Sequence, residues 1–516
     1  MVEHLLQLPH EVLHGILIHV APTDLAALRC CHALDNLVKH DSLLFKEVYQ
    51  RHFDINAANI VINWKAELQD LVRFEKILSS STYELKLEDL IQIVDRVQRL
   101  LRTASVDGYS SNIAFLDRLV RAQKNIGILG NSSLFEWATG TTTKTTTRSH
   151  VQAQPDSDQV FDNSSSDEDD HPTFPAVVAV RENKNPELGR GVLRKAIRVP
   201  HATRQQDRIH RLSAELHCLY GVPIQRLQVP ETPSSSLQPR GGSGTEVDMH
   251  PFARSKVYDL RQHSEGTLWG PFVDDGSQNV DWEKIEAIMI ILDYNIQIFT
   301  NKYVTHGSNL IPPWDRPFVG VTPHSLNLRP AELSVERTPS LPVDLQDPYG
   351  VSGTWMRVVC FLDYRVLFTF NFSEEQPLPG QPRRPNEAEE AIKFIVVKLQ
   401  VTKIEKAGKN DGQGLPVVHF KGSSYSALPP VDVNANSKIR GTVRLTPEGE
   451  VRWTTFSVFH GEERWRSEGI QVGGVQAARG ILGYWFDKDF DEYGPAGPTA
   501  FWKVSSDAEY DAMEDL

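Results

Sequence analysis

Residues 443–453 read VRLTPEGEVRW, and no other stretch narrows the fold as far. Thr446-Pro447-Glu448-Gly449 sets proline and glycine where a tight turn uses them, with Val443 and Leu445 on one side and Val451 and Trp453 on the other at a period of two. That spacing predicts a β-hairpin. The surrounding chain has the same texture. WMRVVCFLDYRVLFTFNF, AIKFIVVKLQVTKI, IRGTVRL, VRWTTFSVF, ILGYWF and TAFWKV are rich in β-branched and aromatic residues and are bounded by Gly, Pro, Asn and Asp. Several antiparallel strands with glycine-rich corners favour a closed barrel or a sandwich over a βαβ sheet. A C-terminal module over 204–516 is therefore expected, with a helix at 205–220, a polar loop at 230–250, a helix at 281–294 and a mainly antiparallel barrel over about 265–505.

The N-terminal part follows the helical period instead. Leu8, Val12, Leu13, Ile16, Leu17 and Val20 recur on one stripe, and Pro9 suits a first helical position. After Pro22-Thr23, Asp24 opens a second helix from Leu25 to about Val38, with Leu25, Leu28, Cys31, Leu34, Leu37 and Val38 around most of its circumference. Asp41-Ser42 cap a third, carrying Leu43, Leu44, Phe45, Val48, Tyr49 and Phe53. Residues 1–53 are too few to bury all of this alone, so part of the apolar surface is expected to meet a partner. Three more amphipathic helices are expected in 54–138, on the stripes Trp64/Leu68/Leu71/Val72, Leu87/Leu90/Ile91/Val94/Val97/Leu101 and Ile113/Phe115/Leu116/Leu119/Val120. They read as a spacer. Residues 139–203, with TGTTTKTTTRS and DNSSSDEDDHP, read as a polar and acidic linker that cannot offset its chain entropy by burial. The fold class is α+β.

The net charge of −13 and the lack of a dense Lys/Arg block argue against nucleic acid as a main partner. Four cysteines, two adjacent and none in a CxxC pair, give neither a disulfide framework nor a zinc knuckle. No apolar run is long enough for a membrane span, so a cytoplasmic or nuclear protein is expected. His10-Glu11-Val12-Leu13-His14 spells HExxH, which zinc hydrolases place on a helix, but the extended form is absent: Gly15 follows at once and His19 comes one residue early. Both histidines are expected on the polar flank of their helix, holding no metal. Asp487-Lys488-Asp489-Phe490-Asp491 opens like a calcium loop, yet Glu492 stands where the turn glycine belongs and Pro498 where the closing glutamate belongs, so an acidic hairpin loop is expected. Ile470 to Val475 lacks a phosphate-cradling motif, and no catalytic triad or nucleophile elbow is evident. No cofactor is implied. Among the aromatics and arginines of the strands, Arg464, Trp465, Tyr484, Trp485, Phe501 and Trp502 are candidates for a rim that anchors a peptide.

Two resemblances add to this. Leu8-Pro9-His10-Glu11-Val12-Leu13 with Ile16-Leu17, Asp24-Leu25 with Leu28-Arg29-Cys30-Cys31, and Leu43-Leu44 resemble an F-box, with Phe45 where a tryptophan is common. The resemblance implies that Leu8, Pro9, Val12, Leu13, Ile16, Leu17, Leu25, Leu28 and Cys31 dock onto the Skp adaptor, linking the chain to a cullin-RING ubiquitin ligase. Leu216 to Gly221, Tyr258 to Arg261, Trp269 to Phe272, Val280 to Trp282 and Arg464 to Gly469 resemble the body of F-box proteins of filamentous fungi. Trp485 to Asp489 followed by Phe501-Trp502 is similar to the last hairpin of the barrel called the cyclin-D1-binding domain in vertebrate F-box proteins. Together they imply a non-catalytic substrate receptor whose barrel captures a protein. The alternative is a barrel for a small apolar ligand, coupled to the ligase through the same N-terminal segment. A barrel filled by Trp and Phe favours capture at the rim, whereas an open lined interior favours a small ligand.

Overall fold

The structure, a computed structural model of the chain, describes residues 7–25, 27, 32–55, 63–79, 87–105, 109–121, 129–140, 201–221, 226–228, 246–303, 311–326, 346–373, 376–378, 381–427 and 436–507. Leu28, Cys31, the acidic segment within 141–200 and most of the 230–250 loop lie outside these residues.

The N-terminal helices are α1 (His10–Leu17), α2 (His32–His40) and α3 (Ser42–His52). Pro9 is the N-cap of α1 rather than its first helical residue, and its carbonyl accepts from the amides of Val12 and Leu13. Asp41 caps α3, its side chain accepting from Leu44 N at 2.9 Å. α4 (Trp64–Ser79), α5 (Leu87–Thr103) and α6 (Ser111–Arg121) fall on the expected stripes. Leu68, Leu71, Leu90, Val94, Val97, Leu101, Leu116 and Leu119 are all buried. A further short helix, α7 (Ser133–Thr139), was not legible as one.

The 54–138 helices are not a separate spacer. α5 lies against α8 (His201–Tyr220), where Gln98 donates to Glu215 at 2.6 Å. Burial and the charge of Glu450 push the Glu215 carboxyl up to about 7 at that seam. α7 belongs with α9 (His250–Val257) and α10 (Trp282–Tyr303): Ser133 N donates to Glu283 at 2.7 Å, and Phe135 is fully buried. One continuous apolar core runs from Leu17 and Val48 through Leu71, Val97 and Ala214 to Val358 and Phe486.

α10 organises that core. Ile285 and Ala287 through Leu292 are all 0 % exposed, so the middle of the helix is apolar around its circumference and enclosed on every side, and the buried Glu286 that interrupts it is paired with His217 at 2.7 Å. Two short strands, β1 (Arg226–Gln228) and β2 (Glu246–Asp248), pair antiparallel. The remaining strands are β3 (Gly353–Phe361), β4 (Ala391–Glu405), β5 (Val417–Ser426), β6 (Ser437–Leu445), β7 (Val451–Phe459), β8 (Glu462–Gln471), β9 (Ile481–Asp487) and β10 (Ala496–Ser505). They close an eight-stranded antiparallel barrel in sequence order, β10 pairing back onto β3. The expected hairpin is β6–β7, with Val443 opposite Trp453 and Leu445 opposite Val451. The barrel begins at Gly353, not near 265, because 250–303 is mostly helical. Residues 364–372, read as strand, form helix α11 (Tyr364–Phe372), whose N-cap Asp363 accepts from the amides of Arg365 and Val366. No helix among the described residues is long and apolar enough to cross a membrane.

Candidate functional site

Strand alternation and register sort the barrel residues. Trp355 and Arg357 of β3 share the inward face with Val397 and Leu399 of β4, Phe420 of β5, Val443 of β6, Trp453 of β7 and Phe501 of β10. Met356, Val358 and Cys360 point outward into the core beneath α10. The interior is divided along its axis. Toward the β3 N-terminal end it is packed with Trp355, Val397, Leu399, Phe420, Ile439, Val443, Trp453, Ile481 and Phe501. Trp355 and Trp453 meet edge to face at 5.1 Å, so this half is filled.

The other half carries hydroxyls and one cation. Arg357 is 4 % exposed; its Nε donates to Thr499 Oγ1 at 3.1 Å, its Nη2 to Ser467 Oγ at 2.7 Å, and its guanidinium stands 4.6 Å from the Phe501 ring centroid. No carboxylate among the described residues pairs with it, and burial pulls its pKa down to about 9. Across the same space Ser424 and Ser437 share a hydrogen bond at 2.7 Å, and the buried Thr455 Oγ1 has no partner among the described residues. Gly469 and Gly483 are opposed on the inward face, next to the rows that hold Ser467 and Thr499. An uncompensated buried guanidinium among hydroxyls is costly in isolation and is suited to accept an anion or a carbonyl oxygen.

The mouth above it is aromatic. Trp465 and Trp485 are partly exposed and meet edge to face at 5.2 Å; Trp485 Nε1 donates to Cys360 O at 3.0 Å. Arg464 is exposed and covers the Trp465 ring at 5.0 Å. Beside the mouth, α11 and the β9–β10 loop present Tyr364, Phe368, Phe372 and Tyr493, between 37 % and 53 % exposed. Phe372 and Tyr493 lie 4.9 Å apart, and Tyr364 Oη donates to Tyr493 O at 3.1 Å.

Of the six expected rim residues, then, Arg464, Trp465 and Trp485 are at the mouth. The other three are not. Tyr484 is 1 % exposed and packs its ring on His263 at 4.8 Å; Phe501 fills the interior; Trp502 is 3 % exposed in the helix-covered core. Arg357 was missed because both faces of β3 are buried, so WMRVVCF does not reveal which of its faces looks inward. The α11 aromatics were missed because the run looks like strand unless Asp363 is read as a cap.

At the N-terminus, Leu8, Val12 and Ile16, four residues apart along the chain, are 37 %, 45 % and 43 % exposed, with Leu43 of α3 at 52 % and Pro9 also exposed. Leu13, Leu17 and Leu25 are buried within the chain's own packing and are withdrawn from the candidate docking set. His14, on the flank of α1, joins two elements. Its Nδ1 lies 2.7 Å from Asp41 Oδ2 and its Nε2 3.0 Å from Glu47 Oε2, so it clips α1 to the start of α3. Burial opposes its charge, but the hydrogen bonds to both carboxylates prevail and raise its pKa above 6.5. No cluster of His, Cys, Asp or Glu suited to a metal occurs among the described residues. Asp487 ends β9, and residues 488–491 lie in the β9–β10 hairpin loop.

No family model, curated protein or solved structure matches the chain.

Proposed function

We propose that this chain is the substrate-recognition subunit of a Skp–cullin–F-box ubiquitin ligase, non-catalytic itself, which docks on the Skp adaptor through its N-terminal helices and captures a protein at the mouth of its barrel. The observation that carries the reading is the exposed line of Leu8, just before α1, Val12 and Ile16 on α1, and Leu43 on α3, the two helices being held together by the His14 clip. Large aliphatics left in solvent along one helix flank fit an interface better than a free surface. The ligase core would supply the chemistry, and the receptor would supply proximity. The filled half of the barrel favours capture at the mouth over enclosure of an apolar ligand. Arg357 favours a partner that brings an anionic or carbonyl group to the inner end.

Co-purification of the full chain with the Skp adaptor tests the first half. Val12→Glu with Ile16→Glu should abolish binding without changing the melting temperature, since both side chains are exposed; binding unchanged by the pair, or absent from wild type, would sink the reading. Arg357→Met tests the second half. It should keep adaptor binding and melt no lower than wild type, because it removes an unpaired buried charge, while losing the proteins that wild type enriches. Capture unchanged in Arg357→Met would move the site away from the barrel interior.

A further inference from the structure

The helices cover only part of the barrel. Outward residues of β3, β9 and β10 and the first half of β4 are buried against them, whereas those of β5, β6 and the second half of β4 face solvent. On this open face β5 and β6 carry Lys421, Lys438, Arg440 and Arg444 and no carboxylate, and Lys398 of β4 joins them. Register arranges the cations in two rows. Lys398, Ser423 and Lys438 cross the three strands in one row, and Gln400, Lys421 and Arg440 in the next. With strands about 4.8 Å apart and same-face residues about 7 Å apart along a strand, the four cations of these rows span a patch of about 10 Å by 7 Å.

Lys421 stands directly opposite Arg440, a like-charge pairing that a sheet face normally avoids. Arg440 is matched by Glu463 at the edge, Arg444 by Asp411, and Lys403 by Glu405. Among the described residues no carboxylate lies within ion-pair distance of Lys398, Lys421 or Lys438. This concentration occurs in a chain whose net charge is −13.

We propose that the open β4–β5–β6 face is a docking surface for a short acidic polypeptide segment. Charge complementarity selects the sign of the partner, and the size of the patch selects its kind. A nucleic acid carries a charge every few ångströms over its whole length and would overrun the patch onto the acidic remainder of the molecule within a Debye length, which at physiological salt is about 8 Å. A few Asp or Glu residues flanked by neutral chain meet only the favourable region. The proposal does not depend on the ligase reading, since it rests on outward residues of β4, β5 and β6 and uses neither the N-terminal helices nor the inward face of the barrel.

The test is fluorescence anisotropy of a labelled Glu-rich peptide with the full chain at low salt. Wild type should bind with an affinity that falls as salt rises. Lys398→Glu with Lys421→Glu and Lys438→Glu should weaken binding about tenfold or more, and the matching Gln variants should weaken it less. Lys65→Glu with Arg73→Glu and Lys76→Glu, all exposed on α4, changes net charge equally and should leave binding within about twofold. The proposal is overturned if the two charge-reversed triples weaken binding equally, if wild type does not bind the peptide, or if a thymidine oligonucleotide or phosphatidylserine vesicles bind this face more tightly than the peptide does. Thermal melts of every variant separate a lost surface from a lost fold.

Discussion

His263 is a half-buried residue whose two ring nitrogens are both buried and have no hydrogen-bond partner among the described residues, its ring lying against Trp269 at 5.6 Å and Tyr484 at 4.8 Å. Burial, assisted by the charge of Lys284, depresses its pKa to about 3. The sign follows from proton counting. Between about 3 and 6.5 the unfolded chain binds a proton there that the folded chain refuses, so stability is complete above 6.5 and is lost as pH falls through that window. His263→Phe should be at least as stable as wild type at pH 7. Urea unfolding at pH 6.5 and pH 5 should show wild type losing about 2 kcal/mol more than the variant over that interval. Equal losses in the two proteins would mean that the imidazole takes up its proton in the folded state. Nothing in the run Arg261-Gln262-His263-Ser264 announces a buried ring, because the residues that enclose His263 come from β9 and from Trp269, whose backbone turns at a φ of 57°. Arg357 was hidden for a related reason: its role depends on which face of a doubly buried strand looks inward, and only the register of eight strands decides that.

At the scale of elements, local chemistry was legible where a side chain acts on its own backbone or repeats with a clean period. The α3 cap at Asp41, the stripes of α4 to α6 and the β6–β7 turn all belong to this class. The α1–α3 clip does not, since His14 and Asp41 are brought together by packing rather than by spacing. Asp41 serves both roles, capping Leu44 N and pairing with His14, and these interactions hold its carboxyl below its usual value despite the opposing effect of burial. Asp41→Ala should therefore cost about 1–2 kcal/mol, His14→Ala less, and the double variant less than their sum. A coupling indistinguishable from zero in denaturant titrations would show that cap and clip are independent. The clip needs Asp41 charged and His14 protonated. Its contribution is present between the lowered pKa of the one and the raised pKa of the other, lost as pH falls through the first and again as it rises through the second. Hydrogen exchange of α1 amides should be slowest inside that window.

The whole molecule is less divisible than its sequence texture implies. Polar composition at 139–203 invites a boundary, yet α5 seals against α8 and α7 is built into the floor beneath α10, so the helices before the boundary complete the core after it. Composition marks where a chain leaves the core and gives no sign of where it returns. Residues 204–516 expressed alone should expose the seats of Phe135, Leu134 and Val97, bind an apolar dye and melt below the full chain. The full chain should unfold in one calorimetric transition across the helical core. Two well-separated transitions, the later one matching 204–516 alone, would restore the boundary.

The barrel closes late in a particular sense. Thr499 Oγ1 of β10 donates to the carbonyl of Val358 of β3, at a sequence separation of 141. Until β10 arrives, β3 and β9 are bare edges offering unpaired amides and carbonyls to any other extended chain, and closure over so long a separation is slow. During its own synthesis the protein is thus a sticky open sheet for an interval, and its cellular abundance will depend on how well that interval is chaperoned.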